Sequence, residues 1–177
     1  MRTLVIASFA AWLPSCAPKM STAVPEASTD AVTRALDAGA AIAEVEQLHD
    51  FFARWFRGEL PESDEAFSRF ERALAPGFEM VPPSGILLGR DQVLAGVRSA
   101  YGSWGGDEAA AIEVRHATTH PVGGGVVRVS YEEWQRRDGV WKARRSTALL
   151  RAATGADSPA DAVEWIHVHE TWMASDG

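Results

Sequence analysis

The chain has 177 residues, 46% of them hydrophobic and 23% charged, a balance that fits one soluble domain and excludes intrinsic disorder and a membrane bundle. Seventeen Lys+Arg against twenty-four Asp+Glu leave a formal charge of −7. That opposes a polyanionic partner, and no zinc-finger, RNP or basic-helix pattern points to nucleic acid.

In chain order, the first segment reads as a processing signal. Residues 1–16, MRTLVIASFAAWLPSC, place Arg2 before an apolar run from Leu4 to Leu13, then small residues and Cys16, the layout of a secretory signal. The run is half of the about 20 residues a spanning helix needs. Leu13-Pro14-Ser15-Cys16 is similar to a bacterial lipobox, whose cysteine is lipid-modified after cleavage. The only cysteine closes no internal disulfide and starts no structural zinc site, so lipidation would account for it. The expected division is 1–15 signal peptide, 16–28 tether rich in Ala, Ser, Thr and Pro, and 29–177 folded domain. The protein is then exported and anchored to the cell envelope, touching membrane only through a lipid on Cys16. The alternatives are an ordinary buried N-terminal helix, or a misplaced start codon and a cytoplasmic protein.

The periodicity predicts a first helix that begins near Asp30, capped by Thr29 or Asp30, and continues or restarts through Ala41 to Arg57. Ile42, Val45, Leu48, Phe52 and Trp55 form its apolar stripe, and Gly58 and Pro61 end it. Ser63 caps a second helix that carries Asp64 and Glu65 in its first turn and Phe67, Phe70 and Leu74 on its buried side, until Pro76-Gly77 stops it. A strand at Phe78–Val81, a Pro82-Pro83-Ser84-Gly85 turn and a strand-like Ile86–Leu88 lead to a third helix, Asp91–Tyr101, closed by Gly102.

From Ile112 the pattern becomes strand, turn, strand: 112–120, 126–136, 140–151 and 163–173, joined by Gly123-Gly124-Gly125, Asp138-Gly139 and a longer loop at 154–162. Asp-Gly between strands signals a type I′ hairpin, whose two central residues both need positive φ. That turn pairs Glu133 with Arg144 and Glu132 with Arg145, opposite charges across the ladder on both faces. Centring the glycine turn on Gly123-Gly124 sets His116 opposite Tyr131, itself opposite Ser146, a polar row over three strands. Ile112, Val114, Val127, Val129, Ala148 and Leu150 share that face, which makes it the one expected to meet the helices. A mainly apolar surface with a few convergent polar groups suits a small-molecule pocket.

The order helix, helix, short strand pair, helix, four long strands resembles the nuclear-transport-factor-2-like superfamily, and within it the SnoaL-like and ketosteroid-isomerase-like group of small stand-alone domains. Gly77-Phe78-Glu79-Met80, Gly89-Arg90-Asp91, the run Arg144 to Leu150 and the terminal Trp165-Ile166-His167-Val168-His169-Glu170-Thr171-Trp172 carry the likeness, over roughly Ala41 to Met173. The resemblance implies an α+β fold of cone shape, three N-terminal helices packed on a curved, mainly antiparallel sheet, with a cavity between them and a homodimer through the sheet. Cyclases of the group use an Asp/His pair, and the four long strands here contain no aspartate.

Alternation along the last strand puts Trp165, His167, His169 and Thr171 on one face and Glu164, Ile166, Val168, Glu170 and Trp172 on the other. Apolar content favours the second set for the cavity, but the resemblance implies the first, and the first is the expectation adopted. The candidate ligand-binding residues are then His116, His167, Trp165, Trp55, Ser146 and Thr171. His169 with Tyr131 forms a candidate acid–base pair, since imidazole titrates near neutrality and a phenol can donate to an oxyanion. Against this stands a histidine that is merely hydrogen-bonded in the core, and tryptophans (Trp55, Trp134, Trp141, Trp165, Trp172) that merely fill core and interface.

His116 and His120 lie roughly 14 Å from His167 and His169 at about 4.8 Å per strand, so no metal site is expected, and no cofactor. Gly-rich phosphate loops and the Gly-x-Ser-x-Gly nucleophile pattern are absent from the sequence. The expected function is a cavity that binds a small apolar molecule. The alternative is an isomerase, cyclase or dehydratase using His169 and Tyr131.

Overall fold

The computed structural model describes residues 36–153 and 162–174. The expected signal, tether, Cys16 lipid and helix start at Asp30 lie outside the described residues, as does nearly all of the 154–162 loop.

Helix α1 spans Ala38–Arg57. Its N-cap is Asp37, whose carboxylate accepts from the Ala40 N–H at 3.1 Å, and it ends on Gly58 at φ 72°. Val45, Leu48 and Trp55 are in the core, while Ile42 and Phe52 are only partly buried. The polar Glu44 and His49 are buried on the same helix, which an apolar stripe cannot reveal. Helix α2, Asp64–Ala73, has the expected Ser63 cap, with Asp64 and Glu65 in its first turn favoured by the helix dipole.

Strand β1, Leu74–Val81, starts four residues earlier than the sequence suggests. Leu74 leaves the helix because it pairs in parallel with Trp165 of the last strand, and Arg90 donates to the Leu74 carbonyl at 3.2 Å and the Glu71 carbonyl at 2.8 Å. Pro76-Gly77 therefore falls inside an irregular stretch of strand between Leu74 and Glu79, where a missing N–H is tolerated. The strand β2 is short, Leu88–Gly89, and helix α3 is Arg90–Ser99.

The long strands are β3 (Ala111–Gly123), β4 (Val126–Arg137), β5 (Val140–Ala152) and β6 (Val163–Trp172). The sheet order is β2-β1-β6-β5-β4-β3, with β1 and β6 parallel and the other four described pairs antiparallel. The α+β class and the mainly antiparallel sheet are as expected. Asp138 and Gly139 turn at φ 49° and 77°, and Glu133 pairs with Arg144 and Glu132 with Arg145.

The glycine turn is different. Gly123 pairs with Val126, so the turn is centred on Gly124-Gly125, and two bulges in β3 each absorb one residue. Together they restore the expected pairing for Ala111–Arg115. The bulge between Arg115 and Thr118 holds His116 and Ala117 opposite Tyr131, with His116 at φ 55°.

The inner face of the sheet contributes Val127, Val129, Tyr131, Ala148, Leu150, Trp165 and Val168 to one core with Val45, Leu48, Trp55, Phe67, Phe70 and Val93 of the helices. Burying each large apolar side chain stabilises by about 1.5–3 kcal/mol relative to exposure. This is the layer that fixes where the sheet's inner polar groups point.

Candidate functional site

Between the helices and the inner sheet face lies a cavity of about 120 Å³. Its walls are aromatic and aliphatic, chiefly Phe52, Phe56, Phe70, Phe78, Trp165 and Val168, and one side is polar: His49, Tyr131, Glu133, Gln135, Arg144 and Glu170.

Glu133 is the centre of the polar side. Its Oε2 accepts from Arg144 Nε at 3.0 Å and His49 Nε2 at 3.2 Å, and its Oε1 from Arg144 Nη2 at 2.5 Å and Gln135 Nε2 at 2.6 Å. Burial alone would raise the Glu133 carboxyl, but the His49 hydrogen bond and the His49 and Arg144 charges outweigh it and hold the group well below the usual range. His49 Nδ1 meets the Val45 carbonyl at 2.6 Å. Both partners of the ring are acceptors, so both contacts are hydrogen bonds only when each ring nitrogen carries a proton.

Arg144 stays a guanidinium. Burial opposes its charge, yet the Glu133 and Glu170 carboxylates prevail and raise its pKa. Its Nη1 reaches Glu170 Oε2 at 3.1 Å as an ion pair. Glu170 is 4% exposed, and that Oε2 accepts no well-formed hydrogen bond from any described residue. Desolvation, reinforced by Glu133 and only partly offset by Arg144 and His49, pushes Glu170 up to about 7. Burial with the Glu133 and Glu170 charges likewise raises Tyr131 well above an ordinary phenol, against Arg144 and Ser146, so its hydroxyl stays protonated.

The residues singled out from the sequence divide between the two sides of the sheet. Tyr131 and Trp165 line the cavity. Ser146 is fully buried in the ladder between Tyr131 and Glu170 and is not among the residues that line the cavity. Trp55 is 1% exposed, packed on Phe51, Phe67 and Tyr101 with its N–H on the Val97 carbonyl at 2.9 Å, and is core rather than wall.

His116, His167, His169 and Thr171 are turned away from the cavity. In β6, Leu150 pairs with Trp165 while Leu149 pairs with His167, so Ile166 is an extra residue that resets the alternation. Val168 and Glu170 consequently point inward with Trp165, and His167, His169 and Thr171 point outward. The β3 bulge does the same to His116, which is exposed beside Glu132 on the outer face. The His169 and Tyr131 pair is therefore corrected: the sheet separates them.

The polar residues that do converge, His49, Glu133, Arg144 and Glu170, were not singled out. One signal was available. The Asp-Gly register pairs Glu133 with Arg144, and Glu133 is two residues from Tyr131, hence on the same face.

A family model, sucrose-6-phosphate phosphohydrolase C-terminal, matches residues 42–174, which include every element of this site. The chain belongs to the sucrose-6-phosphate phosphohydrolase C-terminal family. Sucrose-phosphatase 1 of Nicotiana tabacum is 28% identical over 130 residues, 73% of this chain and 30% of the relative, so this family member spans under a third of that protein's length. Among solved structures, a nuclear-transport-factor-2-like protein of unknown function from Pseudomonas aeruginosa superposes with a TM-score of 0.64 at 23% identity, over 76% of this chain and 99% of the other. Aln2 of a Streptomyces species, SnoaL-like, does so at 0.53 and 18%, over 77% and 94%. The family domain thus has the nuclear-transport-factor-2-like fold that the element order suggests.

Proposed function

We propose that this domain binds one small, largely apolar molecule in the cavity on the inner face of its sheet. The observation that carries the reading is a cavity walled by Phe52, Phe56, Phe70, Phe78 and Trp165 with a charged cluster confined to one side. Its volume of about 120 Å³ is close to the cavity of about 150 Å³ that stays dry and takes up benzene in an engineered protein.

The phosphoester chemistry in the relatives' name is not part of this reading. The one guanidinium that lines the cavity, Arg144, is already held at two points by Glu133 and paired with Glu170, so its fork is not free to take a phosphate.

Toluene titrated into the purified protein and followed by amide chemical shifts tests the reading. The expected result is saturable shifts on Leu48, Phe70, Trp165 and Val168, abolished by the cavity-filling Val168→Phe. Shifts that fail to saturate, or that survive Val168→Phe in a folded protein, would overturn it.

A further inference from the structure

The cavity has an open end, and the strand register sets an unpaired cation beside it. Along α1 from Leu48 to Phe56, along β1 from Phe78 to Met80 and along β4 from Tyr131 to Gln135, the lining side chains pass from buried to partly exposed. Strands β1, β4 and β6 all run in one direction. The last turn of α1 reaches the same end, because Arg57 donates to the Ala110 carbonyl at 3.1 Å just before β3 begins. These partly exposed ends therefore coincide, and β6 finishes there on Trp172, which is 57% exposed. The mouth of the cavity lies where β4 ends and β5 begins.

Gln135, at that mouth, pairs across the ladder with Lys142. Lys142 is exposed and shares the inner face with Arg144, two residues further along β5. Among the described residues no carboxylate forms an ion pair with it. The neighbouring charges are engaged elsewhere. Glu133 and Glu170 lie one inner row deeper, on either side of Arg144. Arg137 stacks on the Trp104 ring at 5.0 Å. Asp107, from the loop before β3, accepts the Ala109 N–H at 3.1 Å and the Asp138 N–H at 2.7 Å. Lys142 is thus an ammonium at an apolar opening with its three donors free of any carboxylate.

We propose that the ligand is an organic acid: an apolar body seated among Phe70, Phe78 and Trp165, and a carboxylate carried on a short chain to the mouth, where Lys142 pairs with it. This rests on the reading that the cavity binds a small apolar molecule, and deepens it. The strand sets the length. At about 3.4 Å per residue, Gln135 lies roughly 14 Å along β4 from Tyr131 at the buried end. A benzene-sized body resting at the buried end does not reach the mouth, so a chain of a few carbons must join it to the head. The carboxylate stays in water at the rim, which spares it the several kcal/mol that burying an ion costs. It also leaves the Glu133–Arg144 pair undisturbed.

Three compounds with one body and one chain length separate the possibilities: 3-phenylpropionate, 3-phenylpropanol and 3-phenylpropylamine, each titrated calorimetrically into the full protein at pH 8. An exposed ion pair is weak, so the acid is expected to bind about two- to fivefold tighter than the alcohol, and the amine weaker than the alcohol. In about 1 M salt, where charges are screened beyond about 3 Å, the three affinities should converge. Lys142→Glu should invert the order, with the amine binding best, and Lys142→Arg should keep the order of the wild type. Because Lys142 is exposed and unpaired, neither variant threatens the fold, and the saturable amide shifts with toluene check that the cavity is intact in both.

The organic-acid inference is overturned, and the apolar cavity left standing, if the alcohol or the amine binds best to the wild type, if Lys142→Glu leaves the order unchanged, or if toluene binds while all three longer compounds fail. Failure of toluene as well would remove both.

Discussion

Glu133 and Arg144 meet across β4 and β5 in a two-point ion pair on the inner face of the sheet, with side chains 4% and 21% exposed. Its neighbour one residue along in each strand, Glu132 with Arg145, is set by the same turn but lies on the outer face, where Arg145 is 60% exposed while Glu132, itself buried, keeps a second donor in the Trp134 N–H when Arg145 is removed. Solvent separates the two energetically. Removing one partner of a buried pair costs about 3–5 kcal/mol, whereas an exposed pair contributes about 0–1 kcal/mol. Arg144→Met is therefore expected to lose several kcal/mol in urea denaturation at pH 7, and Arg145→Met less than about 1 kcal/mol. Equal losses for the two variants would mean that the inner cluster is no more desolvated than the surface.

Glu170 gives stability a pH dependence of a definite sign. Its carboxyl sits at about 7 in the folded protein against an ordinary value of 4.5, so between those values the folded state holds the extra proton. The stabilisation is complete below about 4.5 and lost as pH rises through 7. Glu133 acts in the opposite sense, because its carboxyl is held low, and it matters only on the acid side of 4.5. His49, Tyr131 and Arg144 face the same group, so the isolating comparison is with Glu170→Gln. Going from pH 8 to 5.5 should stabilise the wild type over the variant by about 2 kcal/mol, measured by urea denaturation at both values. A constant difference would show that Glu170 is not desolvated.

Much of the fold was legible because local chemistry and tertiary packing agree. Ser63 caps α2 and Gly58 ends α1, each where the sequence places it. Asp138-Gly139 fixed β4 against β5 residue for residue. What period-2 alternation could not give was the bulges. Ile166 adds one residue to β6, and every side chain after it changes face relative to simple alternation, so Glu170 enters the cavity and His169 leaves it. Apolar content had pointed the right way, since Val168 needs the core. His49 was hidden for a different reason: it lies on the buried face of a helix otherwise read by its hydrophobic positions, and only its partner Glu133, 84 residues away, shows why a polar group is there.

The Asp138-Gly139 turn carries its own prediction. Gly139 has φ 77°, and a Cβ built there meets nothing within 4 Å, so substitution is penalised by backbone conformation alone. Gly139→Ala is expected to cost about 1–2 kcal/mol. Asp138, at φ 49°, is already a non-glycine residue in the left-handed region, and Asp138→Gly should cost little or nothing. Urea denaturation of both variants checks the pair. A neutral Gly139→Ala would argue that β4 and β5 are held in register by their side-chain pairs without help from the turn.

The histidines of the outer face supply the complementary test of where the site lies. His169 is exposed and pairs in the ladder with Thr147 on one side and Val81 on the other, across the sheet from Tyr131. His116 is exposed in the β3 bulge. Neither lines the cavity. Substituting an exposed side chain away from caps and buried networks usually changes stability by less than about 0.5 kcal/mol. His169→Ala and His116→Ala should accordingly leave both stability and toluene affinity unchanged. His49→Ala, by contrast, strips one hydrogen bond and one positive partner from the buried Glu133 carboxylate and should lower stability by about 1–3 kcal/mol. Toluene affinity that falls with His169→Ala in a protein of unchanged stability would place the site on the opposite side of the sheet.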